Sequence, residues 1–245
     1  MRIRTHASYL VKDYALSQSD TATQSPPSQT SPRAWIGYVV PMVVFSALTA
    51  IEGQPLGIPY PFLYIFKAIV VTATLVMGRK LWKEIVWNPR HLLLGLLVGL
   101  AVFVEWIVVD KFTPHFMGKR TAFNPFRDID QAALRYVFLI VRFYGLVVMV
   151  PLMEELFWRS FLIRWLTDPD FKSISMTGWS WSAFGMVAGI FALSHPEWLA
   201  AAICAVAYGL LLRKTGSLFS CVVAHAFTNL LLGIYILAAH AYTLW

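Results

Sequence analysis

Apolar runs long enough to cross a bilayer recur through this chain, at about residues 34–51, 61–77, 91–109, 134–152 and 217–239. Each is close to the roughly 20 residues that carry a helix across about 30 Å of hydrocarbon. Lipid offers the backbone no hydrogen bonds, so a spanning segment is a helix or part of a closed barrel, and unbroken apolar runs of this length select the helix. Composition agrees: 58% of the 245 residues are hydrophobic and 13% charged, about half the charged share of a soluble domain. Such a chain cannot cover itself with polar surface. The expected fold is all-α, a polytopic membrane protein of about seven or eight helices around an intramembrane cavity.

Residues 1–33 differ in character. They end in the polar stretch 17–32, rich in Ser, Thr, Gln and Pro, and are expected to be a disordered tail. The order of a signal peptide is absent from them, so 34–51 reads as a retained membrane helix. Residues 34–245 then form a single transmembrane helical domain. The window 178–213 holds two apolar helices, 179–195 and 198–212, with Pro196 and Glu197 at their turn. Two crossings need about 40 residues and only about 35 are present. The expected element is a short hairpin whose turn stops at membrane depth, where irregular backbone is tolerated only beside a protein-lined or watery cavity.

The net charge of +7 points to orientation, not to nucleic acid. Arg79, Lys80, Lys83 and Arg90 fill one short loop, Arg164 and Lys172 another, and Arg213 with Lys214 a third. Counted from a cytoplasmic N-terminus all three lie inside, as the positive-inside rule requires. Loop 110–130 falls outside on that count yet carries Lys111, Lys119, Arg120 and Arg127, against the rule. Cys204 and Cys221 stand in apolar stretches at no metal-ligand or disulfide spacing.

The chemistry is concentrated in a few polar residues within these runs. Glu154, Glu155 and Arg159 lie between apolar stretches of one segment; ionisable groups at that depth are functional by default. On a helix Glu155 and Arg159 stand i, i+4 and can pair on one face. That pair alone is equally well an ion pair fixing helix packing. It leaves Glu154 about 100° away, buried and unpaired, a candidate general base. His225 and Asn229 repeat the i, i+4 spacing on the last helix, as two donors able to hold a developing oxyanion or as packing residues. His195, before Pro196, closes the short helix; it is a helix-end histidine or, at such a turn, a cavity residue. Cys221 stands four residues before His225, but a buried apolar thiol is the commoner occupant of such a position. Arg135 and Arg142 share a face, with Glu105 as a possible partner; Lys67 is a further intramembrane cation. His91, His115 and His240 read as interfacial.

Taken in order on successive membrane helices, Glu154-Glu155-x-x-x-Arg159, Phe191-x-x-x-His195 and His225-x-x-x-Asn229 resemble the three motifs of the CAAX protease and bacteriocin-processing family, which includes the type II CAAX prenyl endopeptidases. The resemblance covers about residues 130–240. It implies an intramembrane glutamate-type endopeptidase that cleaves a membrane-anchored or prenylated peptide near its C-terminus. By motif position Glu154 would activate water with His195, His225 and Asn229 would stabilise the oxyanion, and Glu155 with Arg159 would support them. No cofactor is implied. Zinc on Glu154, His195 and His225 is chemically possible but not required. The implied partners are a membrane-anchored substrate and the lipid bilayer, with no nucleic acid. The segment 152–162 also resembles the CAAX-protease-related proteins that accompany bacterial exosortase sorting systems, which would place the chain in a bacterial inner membrane. Two other functions use the same residues: a non-catalytic peptide-binding, immunity or scaffold protein on this fold, and a proton-relaying transporter. The chain lacks the paired interrupted helices expected of the transporter.

Overall fold

The computed structural model describes residues 33–113 and 122–245, and the residues from 32 onward form one compact unit. The tail reading for 1–33 lies almost wholly outside the described residues, as do Lys119, Arg120 and His115 of the loop that strains the charge rule. Among the described residues there is no strand. Seven helices of more than ten residues lie among the described residues: α1 (Ile36–Glu52), α2 (Tyr60–Met77), α3 (Pro89–Asp110), α4 (Ala132–Trp165), α5 (Trp181–Leu193), α6 (Trp198–Thr215) and α7 (Leu218–Ala238). Five of them, all but α1 and α5, are long and apolar enough to cross a membrane. Their outward faces carry large exposed apolar side chains such as Phe62, Ile69, Leu93, Val137 and Leu210. This is an integral, multi-pass membrane protein.

Helix starts follow local chemistry. Asn88 caps α3 by accepting from the Arg90 amide at 3.1 Å, and proline in the first turn of α2 and α3 costs no intrahelical bond. The 178–213 hairpin differs from expectation in one arm. Its first arm, α5, is indeed short at 13 residues. The second, α6, runs 18 residues to Thr215 and is long enough to cross. The apolar pattern ends at Leu212, but Arg213, Lys214 and Thr215 continue the helix until Gly216 at φ +62° terminates it.

The longest helix, α4, is also the least regular. Two of its stretches, Gly145–Met149 and Glu155–Leu162, are π-helical. Such wide turns concentrate at functional sites, and the second begins at the second glutamate of the motif. Beyond it, the 3-10 segment Arg79–Glu84 is fastened to α4 by Glu84, whose carboxylate accepts from Tyr38, Ser160 and Arg164.

Close helix contact sets the positions of the site residues. α3 lies against α7 through Gly95 and Gly99. A Cβ at Gly99 would come 2.5 Å from the Ala224 carbonyl oxygen, and one at Gly95 2.9 Å from that of Ser220. Small residues four apart let two backbones approach in this way. Across the contact Thr228 donates to the Gly99 carbonyl at 2.7 Å. Gly99→Ala is therefore expected to destabilise by about 1–3 kcal/mol through overpacking against unyielding backbone. Gly185, in α5, has nothing within 4 Å of a built Cβ, so Gly185→Ala should be neutral or slightly stabilising. Thermal unfolding of the two purified variants in one detergent checks the contrast.

Candidate active site

A cavity of about 440 Å³ opens inside the bundle, and Glu154, His195, His225 and Asn229 all line it. The four residues singled out in the sequence, from α4, the α5–α6 turn and α7, are thus brought to one space. Glu155 and Arg159 stand behind it.

Glu155 is completely buried and organises this group. Its Oε1 accepts from Arg159 Nη1 at 3.2 Å and from His225 Nδ1 at 2.8 Å. The expected i, i+4 pair is therefore present, and the carboxylate also serves a histidine 70 residues further along the chain. An ionised carboxylate has only acceptors, so the shared proton belongs to His225 Nδ1. That bond leaves Nε2 as the ring's other nitrogen for the cavity. Arg159 is held on aromatic faces, 4.8 Å from the Phe191 ring centre and 5.5 Å from that of Tyr208. Tyr208 in turn donates to Thr228 at 2.8 Å. The chain Arg159–Tyr208–Thr228–Gly99 ties the ion pair to the close α3–α7 contact.

Glu154 has the opposite environment. Its side chain is buried and its Oε2 has no hydrogen-bond partner. A carboxylate facing a cavity with unused acceptor capacity is placed to hold a water. His195 lies just past the end of α5, with Nδ1 donating to the Phe191 carbonyl at 2.8 Å. In the neutral ring this tautomer leaves Nε2 as the acceptor. The rings of Phe191 and Trp106 pack against the imidazole, at 4.5 and 6.0 Å between centres.

Asn229 has a partner that its spacing from His225 did not suggest. Its Nδ2 donates to the Leu146 carbonyl at 2.9 Å. The reason lies in α4. Val150 donates to Gly145 in π register, so the next bond would run from residue 151 to Leu146. Residue 151 is proline and has no N–H. Asn229 thus fills a backbone vacancy created by Pro151 within the wide turn, and a second Nδ2 hydrogen remains for the cavity. Pro151→Ala supplies the missing donor. In a double-mutant cycle, Asn229→Ala should cost less stability in the Pro151→Ala background than in the wild type, by roughly 0.5–3 kcal/mol. Additive effects in thermal unfolding would show that the two positions do not act on one bond.

Other sequence candidates separate cleanly. Cys221 is fully buried, donates to the Tyr208 carbonyl at 3.5 Å and does not line the cavity. Glu105 is not the partner of the two arginines: both its oxygens are buried without a hydrogen-bond partner. Arg135 instead donates to the Ile129 carbonyl, while Arg142 donates to Tyr60 and lines the cavity. Among the described residues no three His, Cys, Asp or Glu side chains are arranged to hold a metal ion.

Residues 136–231 match the model of the type II CAAX prenyl endopeptidase Rce1-like family. This segment is similar to the CAAX protease family. The matched segment contains all six motif residues. The wall that α1, α2 and α3 contribute to the cavity, including Phe45, Lys67 and Trp106, lies outside it. No curated protein and no solved structure matches the chain. Sequence reasoning missed Tyr208 and Thr228 as supports of the pair and Pro151 as the origin of the Asn229 contact. The proline within an apolar helix was the readable signal for the last.

Proposed function

We propose that this protein is an intramembrane endopeptidase that hydrolyses a membrane-anchored or prenylated peptide near its C-terminus. The observation that carries the reading is the sharing of one buried cavity by an unpartnered carboxylate, Glu154, and two histidines whose Nδ1 atoms are both committed. Glu154 takes a proton from water as it attacks the scissile carbonyl, and His195 Nε2 accepts that proton from Glu154 and delivers it to the leaving amine as the C–N bond breaks. His225 in its protonated form presents Nε2–H to the oxyanion, with the positive charge stabilised by Glu155. The free Nδ2 hydrogen of Asn229 adds a second donor. Arg159 holds Glu155 in place. The donor set favours direct water activation without a metal. The proposed setting is a bacterial inner membrane.

The test is cleavage of a membrane-presented peptide by purified protein in detergent, followed by mass spectrometry. Activity should persist after chelator treatment and in Cys221→Ser, whose thiol lies off the cavity. Replacing His225 or Asn229 should lower turnover by roughly 10²–10³, the usual loss for one oxyanion donor. Loss of activity on chelation, restored by zinc, would replace this mechanism with a metal-dependent one.

A further inference from the structure

Beyond the motif residues, the cavity contains a second polar group that the hydrolytic reading leaves unused. Lys67, Arg142, Glu52 and Tyr60 line it together. Lys67 is buried, donates to Thr49 at 3.1 Å and pairs with Glu52. Among the described residues no carboxylate is hydrogen-bonded to Arg142: Nη1 donates to the Tyr60 hydroxyl at 3.1 Å, and Nε is buried without any hydrogen-bond partner. Its guanidinium lies 4.6 Å from the Tyr64 ring centre and 5.2 Å from that of Trp245. Tyr64 also packs against Lys67, at 5.0 Å. Two cations thus share one carboxylate, leaving a positive charge facing the cavity at membrane depth. A cation there is costly unless an anion meets it, and a planar guanidinium held on aromatic faces suits a carboxylate.

We propose that Arg142 binds the free C-terminal carboxylate of the peptide substrate and so sets the distance from the chain end to the cleaved bond. The inference rests on the peptidase reading for its substrate. Arg142 and Glu154 lie on one continuous helix, twelve residues apart by number and therefore at most about 18 Å along the axis, the wide turn at Gly145–Met149 shortening the 1.5 Å per residue of a regular α-helix. An extended peptide advances about 3.3–3.6 Å per residue. After the reach of the two side chains, that distance accommodates roughly three to five residues between the scissile carbonyl and the terminal carboxylate. Tyr60 orients the guanidinium, and Glu52, by pairing with Lys67, keeps that second cation from competing for the anion.

The experiment uses two peptides that differ only in ending as a free acid or a carboxamide, given to the full chain in detergent–lipid micelles. The wild type should cleave the acid with a kcat/KM roughly ten- to hundredfold above the amide, the span expected of one charge-assisted contact. Arg142→Gln should lower cleavage of the acid by that factor, leave the amide unchanged and so erase the preference. Tyr60→Phe, a milder change if Arg142→Gln folds poorly, should reduce the preference partially. Acid and amide cut equally by the wild type, or lowered equally by the variants, would overturn the proposal. Equal cleavage combined with dependence on anionic lipid would assign the cation to a headgroup phosphate instead. Binding of both peptides to Glu154→Gln, read by tryptophan fluorescence, separates the two hypotheses. Preferential binding of the acid alongside a wild type that cuts neither would sink the peptidase reading and leave the carboxylate site standing. Equal binding of acid and amide would overturn the carboxylate site.

Discussion

Glu154→Gln should abolish turnover while peptide binding persists. Glutamine keeps the shape of the side chain and loses the proton-accepting oxygen. Positioned acid–base groups contribute typically 10²–10⁴-fold, and here no other carboxylate of the motif is available to substitute. Glu155 lies one residue away, but it is fully buried and its Oε1 is taken by Arg159 and His225. The substitution also leaves no charge stranded, because Glu154 Oε2 has no hydrogen-bond partner to lose. Folding should therefore be preserved, which separates a chemical defect from a structural one. The checks are cleavage of a membrane-presented peptide and binding of the same peptide to the variant. A Glu154→Gln protein that still turns over at the wild-type rate assigns the base to another residue.

Arg159→Ala should act in the opposite way, through the fold. The side chains of Arg159 and Glu155 are 3% and 0% exposed, so removal of the cation leaves a carboxylate in the core with only His225 beside it. Breaking a buried pair from one side costs about 3–5 kcal/mol, and the cation's contacts with the Phe191 and Tyr208 faces are lost as well. The amount of folded protein extracted from membranes should fall sharply. Arg159→Met with Glu155→Gln should recover part of it, since replacing both members removes the stranded charge. That double variant should still be slow in cleavage, because His225 loses its negative partner. Normal abundance together with normal activity in Arg159→Ala would show that the pair is solvated and dispensable.

These two residues also show how legible the site was. Spacing alone placed Glu155 opposite Arg159, because neighbours four apart meet on any helical turn. It placed Glu154 elsewhere for the same reason. What spacing could not supply was the third member of the pair. The bond from His225 to Glu155 joins α7 to α4, and no local pattern records which face of one helix meets which face of another. Asn229 is the clearer case. Its spacing from His225 suggested two donors on one side, while its main contact depends on a carbonyl that Pro151 and a π turn leave open on another helix.

The hairpin and the second polar group divide in the same manner. A short first arm and a turn at His195-Pro196 were readable, because length and proline act locally. The continuation of α6 to Thr215 was not, since hydropathy falls at Arg213 while the backbone bonds do not. Lys67, Glu105 and Arg142 were visible as intramembrane charges, and the natural pairing of Glu105 with an arginine was wrong. Tertiary packing gave Lys67 to Glu52 and left Arg142 facing the cavity.

By itself the sequence determined the membrane class, the helical content and the identity of the six motif residues, because burial in lipid and periodicity are properties of a segment. Only the tertiary structure decided which of them share a cavity, which nitrogen of each histidine is bonded, and which cation lacks a bonded carboxylate among the described residues. Those are properties of contacts between helices, formed by side chains far apart in the chain and fixed by the close approach of glycine-bearing helices such as α3 to α7.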